Sequence, residues 1–185
     1  MELHALQLLI AEHQVIRKGL EILESMAAQL RGGSQLPIED VEALLAMFQT
    51  FADRCHHMKE EWGLFPHMEG KGIPCMGGPL GVMLCEHLRG RVLRHQMKGA
   101  LPYVAADPQA KAQFISAATE YVQLMMEHIA REENVLFQMA QQVTNPKEDE
   151  RLVEAFHSVE EEVVGREVHH RMEQLVEELA SRYGA

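Results

Sequence analysis

A histidine stands four residues before a glutamate twice in this chain, in "HHMKEEWGLF" (56–65) and "HIAREENVLF" (128–137). Aligned, His56 falls on His128, Glu60 on Glu132, Glu61 on Glu133, Leu64 on Leu136 and Phe65 on Phe137. On a helix, side chains four apart are neighbours, with Cβ atoms about 5–6 Å apart. Each pair would therefore present one nitrogen and one oxygen donor on a single face. Mixed imidazole and carboxylate donors suit iron, manganese or zinc. Taken singly, neither pair says much. A lone histidine on an apolar face is more often a hydrogen-bonded core residue than a ligand, and a Glu-Glu pair is more often solvated.

The elements that would position these residues read as helices. Glycine and proline mark the joints in "RGGSQLP" (31–37), "GKGIPCMGGP" (70–79), "AADP" (105–108) and "TNP" (144–146). Pro37, Pro79, Pro108 and Pro146 suit a first helical position, and Asp107 and Asn145 are good N-caps. The pattern predicts helices at 2–30, 37–65, 79–103, 108–142 and 146–182. Alternating β-branched stretches are absent, so the fold class is all-α. Long helices with short connections make an up-down-up-down four-helix bundle over 1–142, with an additional C-terminal helix (143–185) packed on it in the same domain.

The apolar seams single out further histidines. Leu6, Leu9, His13, Ile16, Leu20, Leu23, Ala27 and Leu30 follow a bundle spacing, and His13 interrupts it. Phe114, Ala117, Tyr121 and Met125 lead into His128 and Glu132, then Val135 and Met139. Leu80, Leu84, His87 and Arg91 share one line. The second helix is less tidy. Its stripe is Val41, Leu44, Phe48, Phe51, Cys55, Met58 and Trp62, with His56 and His57 on opposite flanks. Periodicity does not choose between those two; the repeat favours His56.

Each of four helices then supplies at least one donor. A buried ionised carboxylate costs several kcal/mol, and two would rival the roughly 5–15 kcal/mol stability of a whole domain. Something cationic has to offset them. Arg91 is the best candidate for a purely structural salt bridge; two metal ions would answer the charge better. A bundle core with bridging carboxylates is a known place for a di-iron centre.

Bulk composition agrees with a globular chain. It has 185 residues, 46% hydrophobic and 24% charged, with 11 histidines and a net charge of −11. Scattered Lys and Arg on an acidic chain argue against nucleic acid and an anionic membrane surface. No apolar run approaches the ~20 residues that span a bilayer. "MELHALQLLIAEHQ" has no basic leader region or cleavage site. Cys55, Cys75 and Cys85 show no C-x-x-C spacing, which fits a reduced, cytoplasmic setting. All three read as packing residues, with Cys75 the best placed for redox chemistry.

The segments "AEHQVIR" (11–17), "CHHMKEEWGLFP" (55–66), "GGPLGVMLCEHLRGR" (77–91) and "HIAREENVLFQMA" (128–140) resemble, in this order, a hemerythrin-like protein of the bacterial His-His-Glu cation-binding type. The resemblance implies a four-helix bundle holding two non-haem iron ions; the donor spacing by itself would accept manganese or zinc. It implies His13, His56, His87 and His128 as imidazole ligands, and Glu60 and Glu132 as carboxylates bridging the irons. The chain departs from oxygen-carrying hemerythrins at Arg91, where those carry a further histidine. That departure leaves one iron short of an imidazole and weighs against simple reversible O2 carriage. His57 and His169 are the candidates to fill the gap. His4, His67, His95, His157 and His170 are expected at the surface.

The expected function is binding or sensing of O2, redox or iron state through a small diatomic or peroxide ligand. The alternatives are an enzyme acting on peroxide or nitric oxide, or iron–sulfur repair, and then a metal-free structural bundle. The charge-dense helix over 146–182 would lid the bundle or join two copies as a homodimer.

Overall fold

Glycine and proline loops cut the chain where expected. This computed structural model describes residues 3–184, and all regular structure among them is helical. Helix α1 is His4–Arg31, α2 runs over 38–70, α3 over 79–103, α4 over 108–143, α5 over 146–164, and α6 is Arg166–Tyr183. The expected start at residue 2 lies outside the described residues. No helix among these is long and apolar enough to cross a membrane.

The caps act as their residue types dictate. The Asp107 carboxylate accepts the Gln109 backbone N–H at 2.8 Å. Asn145 accepts the Glu148 N–H at 3.1 Å while the Glu148 carboxylate accepts the Asn145 N–H at 3.0 Å, a reciprocal capping box. The helix expected without a break over 146–182 is two helices. Gly165, at φ +88°, turns the chain between α5 and α6 through a conformation that only glycine adopts cheaply.

The four long helices form the expected bundle, with α5 and α6 lying against α1 and α6 also against α2. The core is split in two. One apolar cluster gathers Leu6, Leu9, Leu64, Phe65, Leu80, Leu136 and Phe137, and α5 adds Leu152 and Phe156. The other gathers Ile16, Leu20, Phe48, Phe51, Leu93, Phe114 and Tyr121, and α6 adds Val176 and Leu179. Between them in sequence, on all four helices, lie buried His13, His56, His57, Glu60, His87, His128 and Glu132. Burial of the aliphatic and aromatic groups supplies the folding free energy.

The straight-helix register fails at Trp62 and Val135, which are 70% and 53% exposed. The cause is a π-helical turn at Glu60–Leu64 and another at Glu132–Leu136. A π turn inserts one extra residue, so Leu136 is buried in place of Val135, and Leu64, which follows two π segments, in place of Trp62. A longer π segment, Phe48–His56, precedes the first of these. Gly63 sits inside the first turn, where a Cβ would come within 2.9 Å of the Phe156 ring. Its missing side chain lets α5 close on α2.

Cys55 is buried, Cys75 half-buried and Cys85 exposed, so a packing role does not extend to Cys85. His4, His95, His157 and His170 are exposed, and half-buried His67 pairs with the Thr144 hydroxyl at 2.9 Å.

The register shift predicts opposite outcomes for adjacent residues. Leu136→Ala should cost about 2–5 kcal/mol in denaturant unfolding. Val135→Ser should stay within about 0.5 kcal/mol of the parent. The reverse ranking would mean that α4 continues as an ordinary α-helix.

Candidate metal centre

The two expected His-x-x-x-Glu pairs meet across the bundle axis. Glu60 places Oε1 3.5 Å from His56 Nε2 and Oε2 3.4 Å from His87 Nε2. Glu132 places Oε1 3.3 Å from His128 Nε2 and Oε2 3.2 Å from His13 Nε2. Each carboxylate thus faces two imidazoles from different helices. Two donor groups result, one of His13, His56, Glu60 and Glu132, the other of His57, Glu60, His87 and His128. Within each group the donor atoms lie within 4.8 Å of one another.

His57 faces inward, although a straight helix would set it about 100° from His56. The π segment ending at His56 widens the turn, and both residues straddle the seam. The His57 ring stacks on His87 at 3.9 Å and joins the donor group that the Arg91 departure left short. Arg91 itself pairs with Glu61 at 2.6 Å and stays clear of Glu60 and Glu132. His169 is not brought to the centre. Its Nδ1 lies 3.6 Å from Cys55 Sγ and its ring rests on Phe51.

Every one of these five imidazoles has Nδ1 on a carboxylate. The distances are 2.9 Å for His13 to Glu133, 3.0 Å for His56 to Glu12, and 3.3 Å for His57 to Asp53. They are 2.8 Å for His87 to Glu61 and 2.9 Å for His128 to Glu86. Each carboxylate is held in turn by a cation: Arg17 on Glu133, Lys59 on Glu12, Arg94 on Asp53, Arg91 on Glu61 and Arg131 on Glu86. A carboxylate on one ring nitrogen fixes the tautomer and directs the other lone pair, the usual support for a metal-bound histidine. Four of the contacts close a ring. Glu12 of α1 supports His56 of α2, Glu61 of α2 supports His87 of α3, Glu86 of α3 supports His128 of α4, and Glu133 of α4 supports His13 of α1.

The sequence reading missed these supporting acids. Their signal was present: a glutamate directly precedes His13 and His87, and a second glutamate directly follows Glu60 and Glu132. Each of these four glutamates serves a histidine on a different helix, so no spacing along one helix reveals the pairing; Asp53 alone stands four residues before its histidine, His57, on the same helix.

The inner atoms lack partners. His13 Nε2, His56 Nε2 and all four carboxylate oxygens of Glu60 and Glu132 are buried without a hydrogen bond. Among the described residues no lysine or arginine pairs with either glutamate. His87 Nε2 and His128 Nε2 lie 3.1 Å apart, a contact that needs a proton or a cation between the two nitrogens. Orphaned polar atoms of this kind are rare in native interiors. Cis donors ~2.1 Å from one ion lie ~3 Å or slightly more apart, which these nitrogen–oxygen distances approach. The donor set therefore fits metal ions.

Protons take up the charge when no cation does. Burial, then the neighbouring Glu132, pushes Glu60 well above the usual carboxylate range. Burial opposes protonation of His128, but Glu132 and Glu86 hold it up to about 9. Burial also opposes protonation of His13, which Glu132 and Glu133 nonetheless hold above its ordinary value. Burial and His57 pull His87 down to about 3. Burial takes His57 down to about 4 against the pull of Asp53.

Comparison with known proteins identifies the family. An uncharacterised protein of Mycobacterium tuberculosis is 27% identical over 153 residues, 82% of this chain and 59% of that one. An uncharacterised protein of Mycobacterium bovis matches to the same extent. The iron-sulfur cluster repair protein YtfE of Escherichia coli is 39% identical over 90 residues, 46% of this chain and 40% of YtfE. The chain thus spans less than two thirds of the length of these relatives. No solved structure gives a significant match. Residues 4–140 match the hemerythrin HHE cation binding domain. On that match, which takes in all four donor helices, the chain belongs to the hemerythrin HHE cation-binding family.

Proposed function

We propose that this is a non-haem di-iron protein that binds a small diatomic or peroxide ligand and senses O2, redox or iron state. The observation that carries the reading is the buried pair Glu60 and Glu132, whose four oxygens have no hydrogen-bond partner. Each glutamate faces one imidazole of each donor group, the arrangement expected of a bridging carboxylate. His13 and His56 would hold one ion; His57, His87 and His128 would hold the other. When bound, the iron pair would supply reversible one-electron redox chemistry at the centre. Manganese or zinc would satisfy the same donors.

The protein's own residues do the rest. The five carboxylates on Nδ1 keep each Nε2 lone pair directed inward. Buried Leu9, Ile16, Met125 and Phe137 keep bulk water away, whereas Val135, expected among them, is exposed. With both glutamates shared, an ion on His13 and His56 would have four protein donors and an ion on His57, His87 and His128 would have five, so the former would have more room for an outside ligand.

A second reading has one specific support, the likeness to the iron-sulfur cluster repair protein YtfE. Iron–sulfur repair would ask the same donors to release iron rather than retain it. The two readings differ in measurable ways. Iron-loaded protein is expected to change its visible spectrum on meeting O2 or peroxide, and to evolve oxygen from peroxide no faster than the same amount of free iron. Faster evolution would favour an enzyme. Iron appearing in an apo-cluster acceptor would favour repair.

Glu60→Gln with Glu132→Gln removes both bridging charges while keeping shape. Elemental analysis of the helical variant should find the two-ion occupancy lost; unchanged occupancy would sink the assignment. Metal binding must also displace the protons held at His128, raised to about 9, and at His13. Affinity should therefore fall as pH is lowered below about 9, by up to ~10-fold per pH unit for each proton displaced. Uptake without proton release in weakly buffered solution would contradict it.

A further inference from the structure

A second donor group lies outside the central one. Glu12 of α1, Cys55 of α2 and His169 of α6 bring a carboxylate, a thiol and an imidazole to one point, with donor atoms within 4.8 Å of one another. Cys55 Sγ is 3.6 Å from His169 Nδ1 and 3.9 Å from Glu12 Oε1. A tetrahedral ion with metal–sulfur bonds of ~2.3 Å and metal–nitrogen or metal–oxygen bonds of ~2.0–2.1 Å sets these edges at about 3.5 Å. The two spans from sulfur need to close by only a few tenths of an ångström, and the edge between Glu12 and His169 lies within 4.8 Å.

The surroundings suit a cation. Cys55 is 0% and Glu12 6% exposed, so both donors are fixed by packing. The Phe51 ring backs His169 at 4.7 Å. On the outer side, His169 borders a surface cavity of about 290 Å³ together with Glu160 and Arg166, so solvent reaches the imidazole end of the cluster. Lys59 now supplies the positive charge, its ammonium shared between Glu12 and Glu160. Two carboxylates against one ammonium leave a net negative charge. A divalent ion at Glu12 Oε1 would have to displace the Lys59 ammonium from that oxygen and from Cys55, leaving Lys59 to Glu160 alone.

We propose that Glu12, Cys55 and His169 form an auxiliary site for a thiophilic divalent cation, such as zinc, cobalt or ferrous iron, separate from the central pair. On binding, the Cys55 S–H bond breaks, a metal–sulfur bond forms and the proton passes to solvent. The site touches the centre through one carboxylate, since Glu12 Oε2 accepts from His56 Nδ1 at 3.0 Å. An ion on Oε1 would draw charge from the support of His56. The proposal holds whichever metals occupy the central donors.

Cobalt(II) titration of the full, metal-free chain tests it. A thiolate ligand gives cobalt a near-ultraviolet charge-transfer band that imidazole and carboxylate donors lack. The band should appear in the wild type and in a Cys75→Ser/Cys85→Ser variant. In Cys55→Ser it should vanish, with one fewer cobalt bound per chain and the visible bands of the central ions retained. His169→Ala, which leaves every thiol in place, should also lose that one equivalent. The absence of a thiolate band in folded wild-type protein would overturn the proposal, and so would a band that survives in Cys55→Ser. Loss of the visible bands with the thiolate band retained would count against the central di-iron reading instead.

Discussion

Two carboxyl groups held together in a dry interior cannot both ionise without a cation. Glu60 and Glu132 are in that position. Every other acid around the centre has its own arginine or lysine, and these two have only imidazole nitrogens. The deficit is specific, because five cations stand one layer further out and none reaches inward. A chain that brings five cations so close and withholds them from its two most buried acids has left that charge to be balanced by something else.

The support ring explains how the centre stays in register. Each helix both presents an imidazole and supports the imidazole of the next, from α1 through α4 and back to α1. No helix can slide or rotate without breaking two of these contacts. The π turns at Glu60–Leu64 and Glu132–Leu136 belong to the same design. Each begins on a central glutamate and returns the apolar face one residue late. The glutamate can then point at the axis while Leu64 and Leu136 still reach the core. Irregular turns of this kind often mark functional sites in helices.

The C-terminal pair of helices is tied to the same layer. Phe156 of α5 presses on Gly63, Glu160 holds Lys59, and His169 of α6 reaches Cys55. All three contacts fall on the stretch of α2 that carries the donors. Whatever shifts α5 and α6 therefore acts on the outer support of His56 before it acts on any donor directly.

Much of this was legible in the sequence because it is local. The repeat around His56 and His128, the seam positions of His13 and His87, and the caps at Asp107 and Asn145 depend on spacing along one helix, which a 3.6-residue period makes readable. The misses share the opposite cause. His57 turns inward, and Trp62 and Val135 outward, because π turns change the period that the reading assumed. The break at Gly165 needed a backbone angle that composition does not announce. Above all, Glu12, Glu61, Glu86 and Glu133 each serve a histidine on another helix. Spacing along single helices picked out the candidate donors and the helices that carry them. Which acid supports which imidazole was decided only by tertiary packing, since those partners lie between 26 and 120 residues apart and meet through the bundle's geometry alone.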